Sequence, residues 1–171
     1  MRSTHYKQYS IPGFCVTLNG TWEMGFSRKY TTVADIPGRT IDPSPVYAGR
    51  LWYRREIVLP EGDWKYATLE LKGARFAPEV FVDGEPVSRQ NGGMAPTFHL
   101  LSYPAVKPGH IVLLEIALSS LHDLTPADAS LIPAADRRRS DPAACLWDDI
   151  VLHLHNIIFP TGKPFRRAPT K

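Results

Sequence analysis

Cysteine is scarce in this chain: Cys15 and Cys145 are the only two in 171 residues. That excludes a fold stapled by several disulfides. The pair stands near the two ends of the expected domain, where a first and a last strand would meet, and either two buried thiols or one bridge fits. A long hydrophobic run is missing too. No stretch approaches the roughly 20 apolar residues of a membrane-spanning helix. The opening MRSTHYKQYS is polar and has no apolar core for a secretory signal, so the protein stays inside the cell or a signal has been removed. Charge of one sign is likewise in short supply: 20 Lys and Arg are interleaved with 17 Asp and Glu, for a net charge of +3. That balance offers no basis for nucleic-acid or membrane partners. Neither an internal repeat nor an amphipathic helical period is found.

What the chain holds in plenty is proline and glycine, 16 and 12 residues, which cut it into short pieces as an all-β fold requires. Hydrophobic residues at 43% and aromatics at 11% suffice for a packed core. A chain of this length suits one domain that buries about 70% of its unfolded surface. In residues 51–59, Leu51, Tyr53, Ile57 and Leu59 share one face, with Trp52, Arg54 and Glu56 on the other. This is the period-two pattern of a half-buried strand. Arg55 interrupts the apolar face and needs a carboxylate or carbonyl partner.

After a turn at Pro60-Glu61-Gly62-Asp63, Ala67, Leu69 and Leu71 point inward, and Thr68, Glu70 and Lys72 outward. Asp83-Gly84 supplies the positive-φ residues of a tight hairpin over residues 79–87. Val112, Leu114, Ile116 and Leu118 alternate with Leu113, Glu115 and Ala117 in a strand buried largely on both sides. A first strand is expected in residues 16–24, with a turn at Asn19-Gly20, and residues 27–49 read as a long loop. Residues 119–145 form an irregular insertion. The last strand, 146–155, puts Ile150, Leu152 and Leu154 in the core. The expected organisation is a leader (1–15), a domain (16–155) and a tail or linker (156–171).

Five motifs follow one another in a fixed order: YAGRLWYRREIVLP (47–60), LELKGARFAPEVFVDGEPV (69–87), NGGMAPTFHL (91–100), KPGHIVLLEIAL (107–118) and LWDDIVLHL (146–154). LNGTWEM (18–24) precedes them, and Trp22, Tyr53, Gly92-Gly93, Thr97-Phe98 and Trp147 carry most of the likeness. Their order resembles the N-terminal sugar-binding domain of glycoside hydrolase family 2, the group of β-galactosidases, β-glucuronidases and β-mannosidases. The resemblance implies an all-β sandwich of two antiparallel sheets, of jelly-roll, galactose-binding-like type. It also implies a non-catalytic module whose parent enzyme carries its catalytic acids in a separate barrel. The partners it implies are carbohydrate and the immunoglobulin-like and barrel domains of that parent. Two departures stand out. Cys145 replaces a usual glycine, and serines of LSSLHD (118–123) stand where relatives place a sugar-reaching Asp, leaving Asp123 as the nearest carboxylate.

Sugar sites combine an aromatic face with Asn, Asp or Arg for the hydroxyls. Trp52, Trp64, Arg75, Asn91 and Asp123 are the candidates, with both tryptophans expected at the surface and Trp22 and Trp147 in the core. For each exposed tryptophan, packing against another domain is an equal alternative. His153 and His155 share a strand face, but no third metal ligand stands at a clear spacing, so a solvated face is expected. The run Arg137, Arg138, Arg139 is flanked by Asp136 and Asp141 and reads as self-neutralised. Asp148 and Asp149, adjacent on an expected strand, would face opposite ways, and no G-x-S-x-G elbow is present. No catalytic residue, metal or cofactor is assigned, and the chain is expected not to be an enzyme by itself.

Overall fold

Apolar–polar alternation becomes strand after strand in the computed structural model, which describes residues 13–38, 50–137 and 144–157. The strands are β1 (Phe14–Thr17), β2 (Gly20–Phe26), β3 (Lys29–Ile36), β4 (Leu51–Val58), β5 (Tyr66–Leu71) and β6 (Ala74–Arg75). They continue with β7 (Glu79–Val82), β8 (Glu85–Arg89), β9 (Thr97–Leu100), β10 (Ile111–Leu118), β11 (Cys145–Leu146) and β12 (Ile150–His155). One sheet has the order β1-β12-β5-β9, the other β3-β2-β4-β10-β7-β8, and β6 pairs with β11 in a short ribbon. Each pairing in the two sheets is antiparallel. The fold is an all-β sandwich.

The core lies between the sheets because one face of each strand is apolar. Register sets Ile116 opposite both Tyr53 and Val80, and Leu152 opposite Leu69. These residues form one buried cluster with Trp22, Leu71, Leu114, Ile150 and Leu154. Each such aliphatic side chain stabilises the fold by roughly 1.5–3 kcal/mol through burial. Arg55, on the same face of β4, finds carbonyl partners: it donates to the oxygens of Leu18 and Asn19, each at 3.1 Å. Asp83 (φ 51°) and Gly84 (φ 87°) make the expected hairpin turn. Asp83 Oδ1 also accepts the Leu113 N–H at 2.8 Å, fastening the turn to β10. His99 joins the sheets at another point. Its ring nitrogens stand 3.0 Å from the hydroxyls of Thr97 and Ser88, and burial pushes the imidazole down to about 4.

Several boundaries differ from expectation. The expected loop at 27–49 contains β3, an edge strand joined to β2 through Ser27 and Arg28, both at positive φ. Most β3 side chains face solvent, so no alternation marks it in the sequence. β1 starts at Phe14, which puts Phe14 and Cys15 in the sheet rather than in a leader. The 119–145 insertion holds a 3₁₀ turn at Leu121–Asp123, the short helices α1 (Pro126–Ser130) and α2 (Ala134–Arg137), and the start of β11. β12 begins only at Ile150, so Asp148 and Asp149 lie in the connection before it. No disulfide joins the two cysteines; Cys15 is exposed and Cys145 is buried. The expectations for residues 1–12, for 39–49 of the expected loop, for Arg138, Arg139 and Asp141, and for the tail from 158 lie outside the described residues.

Candidate functional site

Trp52 is expected at the surface, yet it is only 8% exposed. It packs on the outer face of the six-stranded sheet against Phe81, with ring centroids 4.9 Å apart, and against Ala117. The Arg28 guanidinium lies 4.3 Å above the Trp52 ring and 4.7 Å above that of Phe81. Charged residues therefore cover the aromatic pair. Glu115 is buried beside it, accepting a hydrogen bond from the Tyr30 hydroxyl with Arg28 at 3.5 Å. Burial, then the Glu115 hydrogen bond, pushes the Tyr30 phenol up. Arg54 stacks over Tyr30 at 4.2 Å and donates twice to Glu23, at 2.6 and 3.2 Å. That hydrogen bonding is the main cause of the lowered Glu23 carboxyl. This cluster is closed by its own side chains and offers no open aromatic face.

Trp64 is also buried, which corrects the second expected surface tryptophan. Its indole N–H donates to the Pro60 carbonyl at 2.8 Å. The residue lines an open groove of about 470 Å³ with Phe14, Leu154, His155, Asn156 and Ile157. Such a volume is in the range of small-ligand sites. Two polar side chains there are engaged by the protein itself, and His155 meets the Thr68 hydroxyl at 2.8 Å and the Ile157 carbonyl at 2.5 Å. Asn156 donates to the Asp63 carbonyl at 2.7 Å. His153 pairs with Glu70 at 2.7 Å, so the two histidines line a largely covered face instead of a solvated one. Among the described residues no group of three metal-ligating side chains gathers.

Arg75, Asn91 and Asp123 belong to segments that the backbone ties together. Segment 73–77 crosses between the sheets and bonds to three other parts of the chain. Gly73 O accepts the Trp147 N–H at 3.0 Å, Phe76 and Ser119 exchange two bonds at 2.8 and 3.1 Å, and Ala77 N–H reaches Gly92 O at 2.7 Å. The Gly-Gly turn is required here, because a Cβ on Gly93 would stand 2.1 Å from the Ala74 carbonyl oxygen. Arg75 is half-buried, and its Nε is buried with no hydrogen-bond partner. Asn91 and Asp123 are exposed and serve local bonds, from Arg89 at 2.7 Å and from Ser120 at 2.8 Å. The five candidates do not converge on one cleft.

Trp147, expected in the core, is 39% exposed. It follows β11 and sits beside a polar set. Asp149 accepts from Asn19 Nδ2 at 2.8 Å and from Lys72 Nζ at 3.0 Å. These bonds, that of Asn19 first, hold the Asp149 carboxyl below its ordinary value, and the Asp149 bond raises Lys72. Asp148 Oδ1 accepts the Asp149 N–H at 2.7 Å. Sequence reasoning missed this tryptophan because its place in a strand-like motif suggested burial. The Trp-Asp-Asp sequence, which breaks the alternation just before β12, was the available signal.

No protein-family model matches the chain, and no curated protein matches it significantly. Solved structures do match. The Faecalibacterium prausnitzii β-glucuronidase aligns over 88% of this chain and 33% of its own, at 16% identity and a TM-score of 0.61. A Ruminococcus gnavus β-glucuronidase in complex with uronic deoxynojirimycin covers 87% of this chain and 30% of its own, at 18% identity and 0.63. The Eisenbergiella tayi GH2 β-galacturonidase covers 87% and 25%, at 20% identity and 0.60. Identities this low establish a shared fold. The chain spans a third or less of each of these structures.

Proposed function

We propose that the chain is a non-catalytic carbohydrate-binding module of a family 2 glycoside hydrolase, serving carbohydrate metabolism through a parent enzyme. One observation carries this reading: the whole sandwich, 87–88% of the chain, has its counterpart within a quarter to a third of several glycosidases acting on uronides. The order of motifs from LNGTWEM to LWDDIVLHL supports the same family. Glycoside hydrolysis generally uses two carboxyl groups facing each other about 5–9.5 Å apart across a cleft. The more buried carboxylates here are engaged structurally, Glu115 with Tyr30 and Arg28, Glu79 with Arg50, and Glu70 with His153. The expected partners are carbohydrate and the barrel and immunoglobulin-like domains of the parent.

A second reading, docking on another domain without sugar binding, is favoured by the Trp64 groove. Phe14 and Ile157 on its rim are 45% and 57% exposed. Assays of the purified chain on aryl galactosides, glucuronides and mannosides should give no turnover. Turnover that survives repurification and disappears with a single Asp or Glu substitution would refute the non-catalytic assignment. Titration with simple methyl glycosides separates the two readings, since only the first predicts saturable binding.

A further inference from the structure

Arginines of the sandwich are engaged within it, with one exception. Arg28 lies over the Trp52 and Phe81 rings with Glu115 at 3.5 Å, and Arg50 and Arg54 pair with Glu79 and Glu23. Arg55 donates to two carbonyls and Arg89 to Asn91. Arg75 differs. Among the described residues its guanidinium makes no hydrogen bond and no ion pair. Its Nε is buried, whereas the two terminal nitrogens, which also lack partners, are not. The stem of the side chain is therefore held inside the protein, and the end of its fork reaches solvent. A partly buried cation with no counter-charge destabilises the protein that carries it and favours an anion from outside.

The position of this cation is fixed by the backbone. Ala74 and Leu146 face each other across the β6–β11 ribbon, and both belong to the main core. Arg75 and Cys145, the next pair, lie on the opposite face of that ribbon. Phe76 exchanges two backbone bonds with Ser119, and Ala77 N–H reaches Gly92 O, so the residues after Arg75 are tied to two further segments. A guanidinium on so fixed a stem loses little freedom when it binds. The end of its fork presents two parallel N–H groups, the geometry of a bidentate carboxylate. A sugar hydroxyl accepts a hydrogen bond there but does not supply the missing negative charge.

Resting on the carbohydrate-binding reading above, we propose that Arg75 binds the carboxylate of a uronic acid through its two terminal nitrogens. Arg75 does not line the Trp64 groove, so sugar recognition and docking fall to different residues.

The test follows the arginine Nε–H signals of the complete chain by NMR, the Arg75 signal being the one lost in Arg75→Met. The titrants are methyl β-D-glucuronide, methyl β-D-galacturonide, their neutral glucoside and galactoside counterparts, and acetate. The Arg75 signal should shift saturably with at least one uronide, at millimolar affinity given the few atoms enclosed. The neutral counterpart and acetate should each bind at least about tenfold more weakly, the first lacking the charge and the second the sugar. Arg75→Met should abolish uronide binding, and Arg75→Lys, which keeps the charge and a buried stem but not the planar fork, should weaken it severalfold. Neutral glycosides that shift the Arg75 signal as tightly as the uronides would overturn the carboxylate as ligand. Acetate binding as tight as the uronides would overturn the sugar as its carrier. Saturable uronide shifts retained in Arg75→Met and Arg75→Lys would overturn this site but keep the carbohydrate reading. No saturable shift with any glycoside up to about 100 mM, where a millimolar site is filled, would overturn both.

Discussion

His99 shows how one side chain gives the fold a pH dependence. Its imidazole is fully buried between two hydroxyls, and desolvation lowers its value from 6.5 to about 4. The unfolded chain takes up a proton below 6.5, whereas the folded protein resists until about 4. This group's contribution is therefore complete above 6.5 and is lost as the pH falls toward 4. The difference amounts to about 3 kcal/mol. Urea unfolding between pH 7 and 4 should show a falling midpoint, with a shallower fall in His99→Gln whatever that variant's stability at pH 7. Equal slopes in the two proteins would show that carboxylates alone account for the loss.

Residue-scale legibility fails at the same kind of place twice. Trp52 and Trp147 exchange their expected environments because long-range neighbours decide which aromatic face is covered. Arg28, from the β2–β3 turn, closes over Trp52, while Trp147 lies against Gly73, which has no side chain to cover it. Neither partner is adjacent in sequence. Arg55, by contrast, was readable: a charge on an apolar strand face needs acceptors, and the carbonyls of Leu18 and Asn19 provide them.

At the scale of elements, burial on one or both faces separates strands that the sequence announces from those it hides. β10 lies inside the six-stranded sheet between β4 and β7, and its apolar run is legible because both faces are covered. β3 lies at the sheet edge with Thr31, Thr32 and Val33 exposed, and its turn uses Ser27-Arg28 rather than Asn-Gly or Asp-Gly. Its place in the fold comes from pairing with β2, which the sequence pattern does not record. The same contrast predicts stability. Ile116→Ala, in the centre of β10 and fully buried, should cost about 2–5 kcal/mol by loss of burial and cavity formation. Val33→Ala, on the open face of β3, should stay within about 0.5 kcal/mol. Chemical denaturation of both variants checks this, and comparable losses would mean that the outer face of β3 is packed in solution.

The molecule as a whole closes through its ends: β1 pairs with β12, and β12 pairs with β5 in the middle of the chain. Residues of both sheets form a single main core cluster, from Leu18 to Leu154. Neither sheet retains a core of its own without the other, so the sandwich should unfold as one cooperative unit. The two thiols provide local probes at opposite extremes of accessibility. Cys15 is exposed on β1, and Cys145 is buried in β11 opposite Arg75. A thiol reagent should modify Cys15 rapidly in the native protein and reach Cys145 only when the structure opens. In urea, the onset of Cys145 labelling should coincide with the loss of far-UV β signal and with the change in tryptophan fluorescence, to which Trp22 and Trp64 contribute from the main core. Early Cys145 labelling with the other two signals unchanged would show that the β6–β11 ribbon opens separately.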